Sequence, residues 1–327
     1  MIKKSLSICI PTYNRTRELD ETLYFVTKFS KKYDFIKEIL VLDNNENNKA
    51  TEIVEKYVDK FQKLNYIKNP YNIGGHENFK KCIETAKSDF VWLLTDDDIL
   101  HENSLEIIHI NLQKKIDCLI VNWNVYDENI DELVMSDVMN SKKNFLINKN
   151  IILSEFFTKL TYVSSIIFKK EDFLNFVDED LYDEYIDYGL TCALTAYSIF
   201  LKENCKVHYE KRPVIKQRGY NDEFLMNSTN NFYNVFSKGM NLFHKNFLDK
   251  HYDKKSVIIS KKKTFYFYIF RSLINEKIKI VNFREAFNSA YNNYKELFSI
   301  RIILLLIYLT PVKLILLLKY VRKIIKK

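Results

Sequence analysis

The first 120 residues alternate between two hydrophobic periods, and this restricts the fold more than any other feature. Leu6–Pro11 (LSICIP) is a short apolar run of the kind that forms a buried strand. Thr16–Ser30 then carries Leu19, Leu23, Val26 and Phe29 at spacings of four, three and three, which predicts a helix with one buried face. Strands at Ile36–Leu42, Leu64–Lys68, Phe90–Leu94 and Asp117–Asn122 continue the pattern, separated by helices at Ala50–Phe61, Glu77–Ala86 and Asn103–Lys115. Strands that are apolar on both faces and joined through helices predict an α/β fold: a mostly parallel, Rossmann-like sheet with helices on both faces. With only 5 Gly and 4 Pro in 327 residues, a loop-dominated all-β chain is disfavoured.

Sheets of this kind bind ligands beyond the carboxyl ends of their strands. Each of the first four predicted strands ends there in a polar loop. Pro11-Thr12-Tyr13-Asn14-Arg15 follows the first and Asp43-Asn44-Asn45 the second. Asn69 to His76 follows the third, and Asp96-Asp97-Asp98 the fourth. Parallel strands place all four loops on one rim, so they are predicted to converge.

The three aspartates need a physical reason, because FVWLL runs straight into them. Adjacent carboxylates repel, and near a core they stay ionised only beside a positive charge. A divalent cation is the simplest compensator. Mg²⁺ or Mn²⁺ takes hard oxygen ligands from one or two carboxylates and from substrate phosphates. The alternative is a solvated turn that happens to be acidic. Neither a lysine-containing phosphate loop nor G-x-G-x-x-G occurs, so phosphates would be held through metal rather than by a glycine nest.

These motifs, in the order SICIPTYNR, EILVLDNN and NPYNIGGHENFKKCIETAKSDFVWLLTDDD, resemble the nucleotide-sugar-binding half of the family-two glycosyltransferases. Within that family the abequosyltransferase-like branch, which builds bacterial surface polysaccharides, is the most similar. The likeness covers about residues 5–122 and fades afterwards. It implies a GT-A-type fold and an inverting, metal-dependent transfer from a nucleoside-diphosphate sugar to a hydroxyl of a glycan or lipid-linked acceptor. Capsule, lipooligosaccharide and O-antigen synthesis are the settings it suggests.

The resemblance also implies roles for individual residues. Thr12 and Tyr13, with Pro11, Asn14 and Arg15, match the loop that holds the nucleobase. Asp43 matches the carboxylate that hydrogen-bonds the base. Asn72 and Gly74 match a turn beside the nucleotide, where glycine lets the backbone approach the ligand. Ile73 is a mild variation there, while Gly75 and His76 depart from the commoner residues. Asp96 would face the ribose, Asp98 with Asp96 would ligate Mn²⁺ or Mg²⁺, and Asp97 would assist either. The catalytic base is expected in DEDLYDEYIDYGLTCAL, with Asp187 first, then Glu184 and Asp183; a helix-capping acidic stretch is the alternative. Arg218 in KQRGYND is a further diphosphate or acceptor contact, or else part of a surface turn.

Beyond residue 122 the patterns are coarser. Residues 125–150 are polar and read as a loop over the site. Tyr162–Phe168 is strand-like, Leu190–Asn204 is helical, and Ser228–His251 and Ser256–Asn275 are long aromatic-rich helical patterns. The expected organisation is therefore 1–122 for the nucleotide sugar and 123–225 for acceptor and catalysis. A helical region, 226–298, and a tail, 299–327, follow.

The tail holds seven basic residues and no acidic one, so seven of the net +8 lie there and the remainder carries +1. A nucleic-acid-binding face is not needed to explain the charge. Two apolar runs, Ile302–Leu309 and Leu314–Leu318, are interrupted by Pro311 and Lys313. An interfacial helix with a basic flank fits this better than a clean span. The expected location is cytoplasmic and peripheral to the inner membrane, with a possible homo-oligomer contact through the C-terminal helices. The five cysteines show no metal or redox spacing and read as reduced thiols, and the N-terminus shows no signal-peptide pattern. A sugar nucleotidyltransferase would be expected to carry a glycine-rich basic loop after strand one, and PTYNRTRELD has no glycine. A non-catalytic membrane-associated binding protein is the third reading.

Overall fold

The computed structural model describes residues 4–141, 148–219, 238–270, 273–274, 277 and 283–315. Two compact units divide the chain. One comprises Met1–Ile152, Lys159–Ile186 and Thr191–Glu223, and the other Leu153–Thr158, Asp187–Leu190 and Phe224–Lys327.

The first unit is built on the predicted alternation. Strands β1 (Leu6–Thr12), β2 (Ile36–Asp43), β3 (Leu64–Lys68) and β4 (Phe90–Leu93) alternate with helices α1 (Thr16–Ser30), α2 (Lys49–Val58) and α3 (Gly75–Thr85). β1 is buried along its whole length, as an inner parallel strand must be. Its neighbours pair with it in parallel on both sides, and β3 adds to β2 in parallel. α1 buries Leu19, Leu23, Val26 and Phe29, the residues whose spacing predicted it. Tyr57 of α2 donates its hydroxyl to Asp20 of α1 at 2.6 Å, tying the two helices.

The rest of the sheet is mixed. Its order is β3-β2-β1-β4-β8-β6-β9-β5, with β7 on the edge of β6. β5 is Ile99–Leu100, β6 Cys118–Tyr126, β7 Leu133–Met135, β8 Ile166–Lys169 and β9 Val207–Arg218. β8 comes from the segment read as strand-like, and it inserts antiparallel between β4 and β6. The long pairing of β6 with β9 is again parallel. Part of the span expected as a loop over the site is strand: β6 runs on to Tyr126 and then pairs with β7. The intervening helices are α4 (Ser104–Leu112), α5 (Lys149–Phe156), α6 (Lys170–Phe176), α7 (Glu179–Ile186) and α8 (Thr191–Ile199). α7 occupies the acidic stretch, which folds because Tyr182 and Tyr185 bury one face of it.

In the second unit, helical segments Met240–Phe243, His244–Leu248 and Asp249–His251 run consecutively. α9 (Lys254–Thr264) follows, capped by the Asp253 carboxylate, and continues into a π-helical turn, Phe265–Ile269. α10 (Phe283–Tyr294) and α11 (Phe298–Leu309) follow in the same unit. Aromatic packing holds its interior, with Phe243 stacked on Phe247 at 5.2 Å. Residues 142–147 of the expected loop, 228–237 of the first long helical pattern, 271–272 and 275 of the second, and the end of the tail from 316 lie outside the described residues. Among the described residues no helix is long and apolar enough to cross a membrane. The five cysteines are unpaired, four buried and Cys205 half-buried.

Candidate active site

The polar loops after β1, β2, β3 and β4 meet on one rim, joined by hydrogen bonds. β1 and β2 are in register up to Thr12 opposite Asp43. The Asn44 N–H donates to Thr12 O at 3.0 Å, and the Asn69 N–H to Asp43 O at 2.8 Å. Asn14 has a φ of +57°, a conformation asparagine tolerates, and its N–H donates to Asn45 Oδ1 at 2.7 Å. Buried Asn69 donates to both Asn44 Oδ1 and Asn78 Oδ1, at 2.7 and 2.9 Å. Asn44 in turn donates to Gly74 O at 3.1 Å. Gly74 has a φ of +93°, and Asn72 Oδ1 accepts its N–H at 2.9 Å.

The aspartates have separate surroundings. Asp96 Oδ2 accepts the Thr12 hydroxyl at 2.7 Å, and its Oδ1 faces Arg15 at 3.2 Å. The same guanidinium nitrogen lies 3.0 Å from Asp97 Oδ2. Arg15 therefore supplies the positive charge that the aspartates require. Asp98 points inward, 1% exposed. Thr95, Tyr162 and Ser164 all donate hydroxyls to its Oδ2, Ser164 at 2.6 Å. Burial, followed by the charge of Asp97, pushes both Asp96 and Asp98 up from the ordinary carboxylate range to about 7.

Asp43 is fully buried and bonded on both oxygens. Oδ1 accepts the backbone N–H of Asn45 at 2.7 Å, and Oδ2 accepts the Tyr66 hydroxyl at 2.7 Å. Pro11 and Thr12 are buried at the end of β1, whereas the Tyr13 ring is half-exposed beside them. His76 opens α3, its Nδ1 2.6 Å from the Thr191 hydroxyl and its carbonyl accepting from Tyr182. Burial pushes its imidazole down to about 4, so it is neutral at physiological pH.

The other predicted residues have surroundings of their own. Arg218, at the end of β9, is buried and already bonded. Its guanidinium pairs with Glu21 of α1 and donates to Glu128 O, and its Nε lies 3.4 Å from Asp97 O. Asp183 and Glu184 are exposed on α7, Asp183 close enough to Lys80 to influence its charge. Asp187 is exposed and belongs to the second unit.

The sequence reading missed the hydroxyls that organise the aspartates. Thr22 of α1 donates to Asp96 O at 2.9 Å and to Asp98 O at 3.0 Å, fixing the turn from beneath. Its signal was a polar residue on the buried face of a helix. Tyr162 and Ser164 carried no comparable signal, because the 3₁₀ turn that presents them depends on where β8 docks.

The donor set suits a hard cation only with help. Among the described residues no group of three or more Asp, Glu, His or Cys is arranged to hold a metal. None of the described hydrogen bonds ends on Asp98 Oδ1, and Asp96 and Asp97 adjoin it in sequence. Carboxylates with phosphate oxygens from a ligand would complete an Mg²⁺ or Mn²⁺ shell.

Residues 7–173, just over half the chain, match the family described as Glycosyl transferase family 2. The chain belongs to that family. It is a glycosyltransferase. The abequosyltransferase RfbV of Salmonella typhimurium is 26% identical over 230 residues, covering 67% of this chain and 68% of the relative. The poly(ribitol-phosphate) β-N-acetylglucosaminyltransferase TarP of Staphylococcus aureus is 28% identical over 109 residues, covering 32% of each chain. Among solved structures, S. aureus TarS aligns with a TM-score of 0.59 at 16% identity, covering 87% of this chain and 49% of that one. A TarS fragment, 1–349, in complex with UDP-GlcNAc aligns with a TM-score of 0.53 at 15% identity, covering 89% of each. At these identities the structural likeness is one of fold, and it accords with the GT-A-type sheet.

Proposed function

We infer that this glycosyltransferase moves a sugar, with inversion, from a nucleoside-diphosphate sugar to a hydroxyl of a bacterial surface glycan or its lipid-linked precursor. The observation that carries the reading is the bonded rim: Thr12, Arg15, Asp43, Asn44, Asn69 and Asp96 come from separate loops and form one connected set. The abequosyltransferase and TarP relatives favour a surface-polysaccharide acceptor.

In this reading Tyr13 and the Thr12 backbone cover the nucleobase, and Asp43 accepts from it. Asn72 and Gly74 line the nucleotide with backbone, and Asp96 faces the ribose. Asp98 with Asp96, adjoined by Asp97, would hold Mn²⁺ or Mg²⁺, which when bound would neutralise the leaving diphosphate. Arg15 is the resident counter-ion of the aspartates and turns to the diphosphate once the donor enters. Arg218 acts through structure, holding Asp97 O against α1. Asp187, with Glu184 and Asp183 as the other candidates, takes the proton of the acceptor hydroxyl, because one exposed carboxylate suffices for a single in-line displacement. The enzyme works at the cytoplasmic face of the membrane, where lipid-linked acceptors are presented.

Nucleoside-diphosphate release tests this. The chain is offered UDP-, GDP-, CDP- and dTDP-sugars with Mn²⁺ or with chelator, alone and with membrane lipid extract. Metal-dependent release from one donor, lost in Asp98→Ala and reduced at least 100-fold in kcat by Asp187→Asn, is expected. Release unaffected by either substitution would overturn the assignment of these residues. No release from any donor with extract present would overturn the transfer reading for these donors.

A further inference from the structure

We propose that the outer face of α11 is a membrane-docking surface that lies in the headgroup region of an anionic bilayer. This deepens the membrane location in the reading above. The helix is apolar on two opposite sides. Ile300, Leu304 and Ile307, at spacings of four and three, are buried in the second unit. Phe298, Ile302, Leu305, Leu306 and Leu309 form a second stripe at the same helical spacing, and all are exposed. Leu309 is 72% exposed, Phe298 66% and Leu306 58%. A water-facing helix carries charge on that side, and an aliphatic stripe of this length marks a surface meant to be covered.

Charge identifies the cover. Arg301, within the first turn of the helix, and Lys313, beyond its end, are both exposed. Five further basic residues follow by Lys327, and no acidic residue occurs from Ser299 onward. A second copy docking on the stripe would bring like charges together. A bilayer with anionic lipid offers both hydrocarbon for the stripe and negative charge for its flanks. Twelve residues of helix reach roughly 18 Å, too short for a hydrocarbon core of about 30 Å, so α11 lies along the interface rather than across it. Buried Lys277 donates to Ile307 O and Tyr308 O, fixing the last turn of the helix and with it the direction of the stripe.

The test is vesicle sedimentation of the full chain without sugar donor, so failure here leaves the transfer reading intact. Phosphatidylcholine vesicles with and without phosphatidylglycerol are compared at low and high salt. The wild-type chain is expected to bind the anionic vesicles roughly tenfold better than the neutral ones, and to lose that margin in salt. Leu306→Gln with Leu309→Gln leaves the charge unchanged and should weaken binding about tenfold, with the far-UV dichroism retained. Arg301→Gln with Lys313→Gln should weaken binding to anionic vesicles only. Equal vesicle binding by the leucine pair, or no vesicle binding by the wild type, overturns the proposal. A wild-type dimer that the leucine pair converts to monomer, without vesicle binding by either, overturns it in favour of a second copy.

Discussion

The side chains around the aspartate turn explain how three carboxylates in a row are tolerated. Arg15 neutralises two of them, and hydroxyls from Thr95, Tyr162 and Ser164 solvate the third. A cation bound by these aspartates would compete with Arg15 for their charge. In Arg15→Gln, Mn²⁺ should raise the melting temperature by several degrees more than it does in wild type; equal shifts would show that Arg15 is not the counter-ion. Tyr162→Phe removes one donor from a buried carboxylate and should cost about 1–3 kcal/mol in urea denaturation. The need for positive charge beside Asp96–Asp98 was legible in the sequence, and its source was not. A metal and an arginine in the loop between β1 and α1 satisfy the same electrostatic demand, and only the register of β1 against β4 brings Arg15 to the turn.

Among the elements, α3 and the segment His244–Leu248 each carry a neutral histidine in a desolvated setting. Burial pushes His76 down to about 4 and His244 down to about 3. Both lie below the unfolded value near 6.5, so at these two sites the unfolded chain binds more protons as pH falls from 6.5 towards 4, and each histidine lowers stability over that window. Asp96 and Asp98, raised to about 7, act in the opposite sense, so the histidine contribution is read as a difference between variants. The melting temperature of His76→Gln relative to wild type should rise between pH 7 and pH 4.5; a constant difference would show that His76 does not titrate in this way. The expected helices and parallel strands of the first 120 residues formed close to where their periodicity put them. β8 was foreseen only as an apolar segment, because four residues of strand carry too little pattern to reveal which neighbour they pair with or in which direction.

For the chain as a whole, α11 is both interior and surface. Removing residues 299–327 would take Ile300, Leu304 and Ile307 out of the second unit as well as the outer stripe. At about 1.5–3 kcal/mol for each buried side chain, that loss should unfold the second unit, seen as a lower-temperature transition and reduced helical dichroism. Deletion therefore tests the packing of the unit, and the exposed-face substitutions test membrane binding. An unchanged melting profile after deletion would show that α11 adds nothing to the core. The sequence by itself determined the alternating first 120 residues, the single polar rim and the family, because hydrophobic period and strand-end position are local properties of the chain. Tertiary structure decided the rest. It brought Arg15 and the Tyr162–Ser164 turn to the aspartates, turned Arg218 inward to Glu21, and chose which side of α11 to bury. Those outcomes depend on contacts between residues tens to hundreds of positions apart, and no local periodicity encodes them.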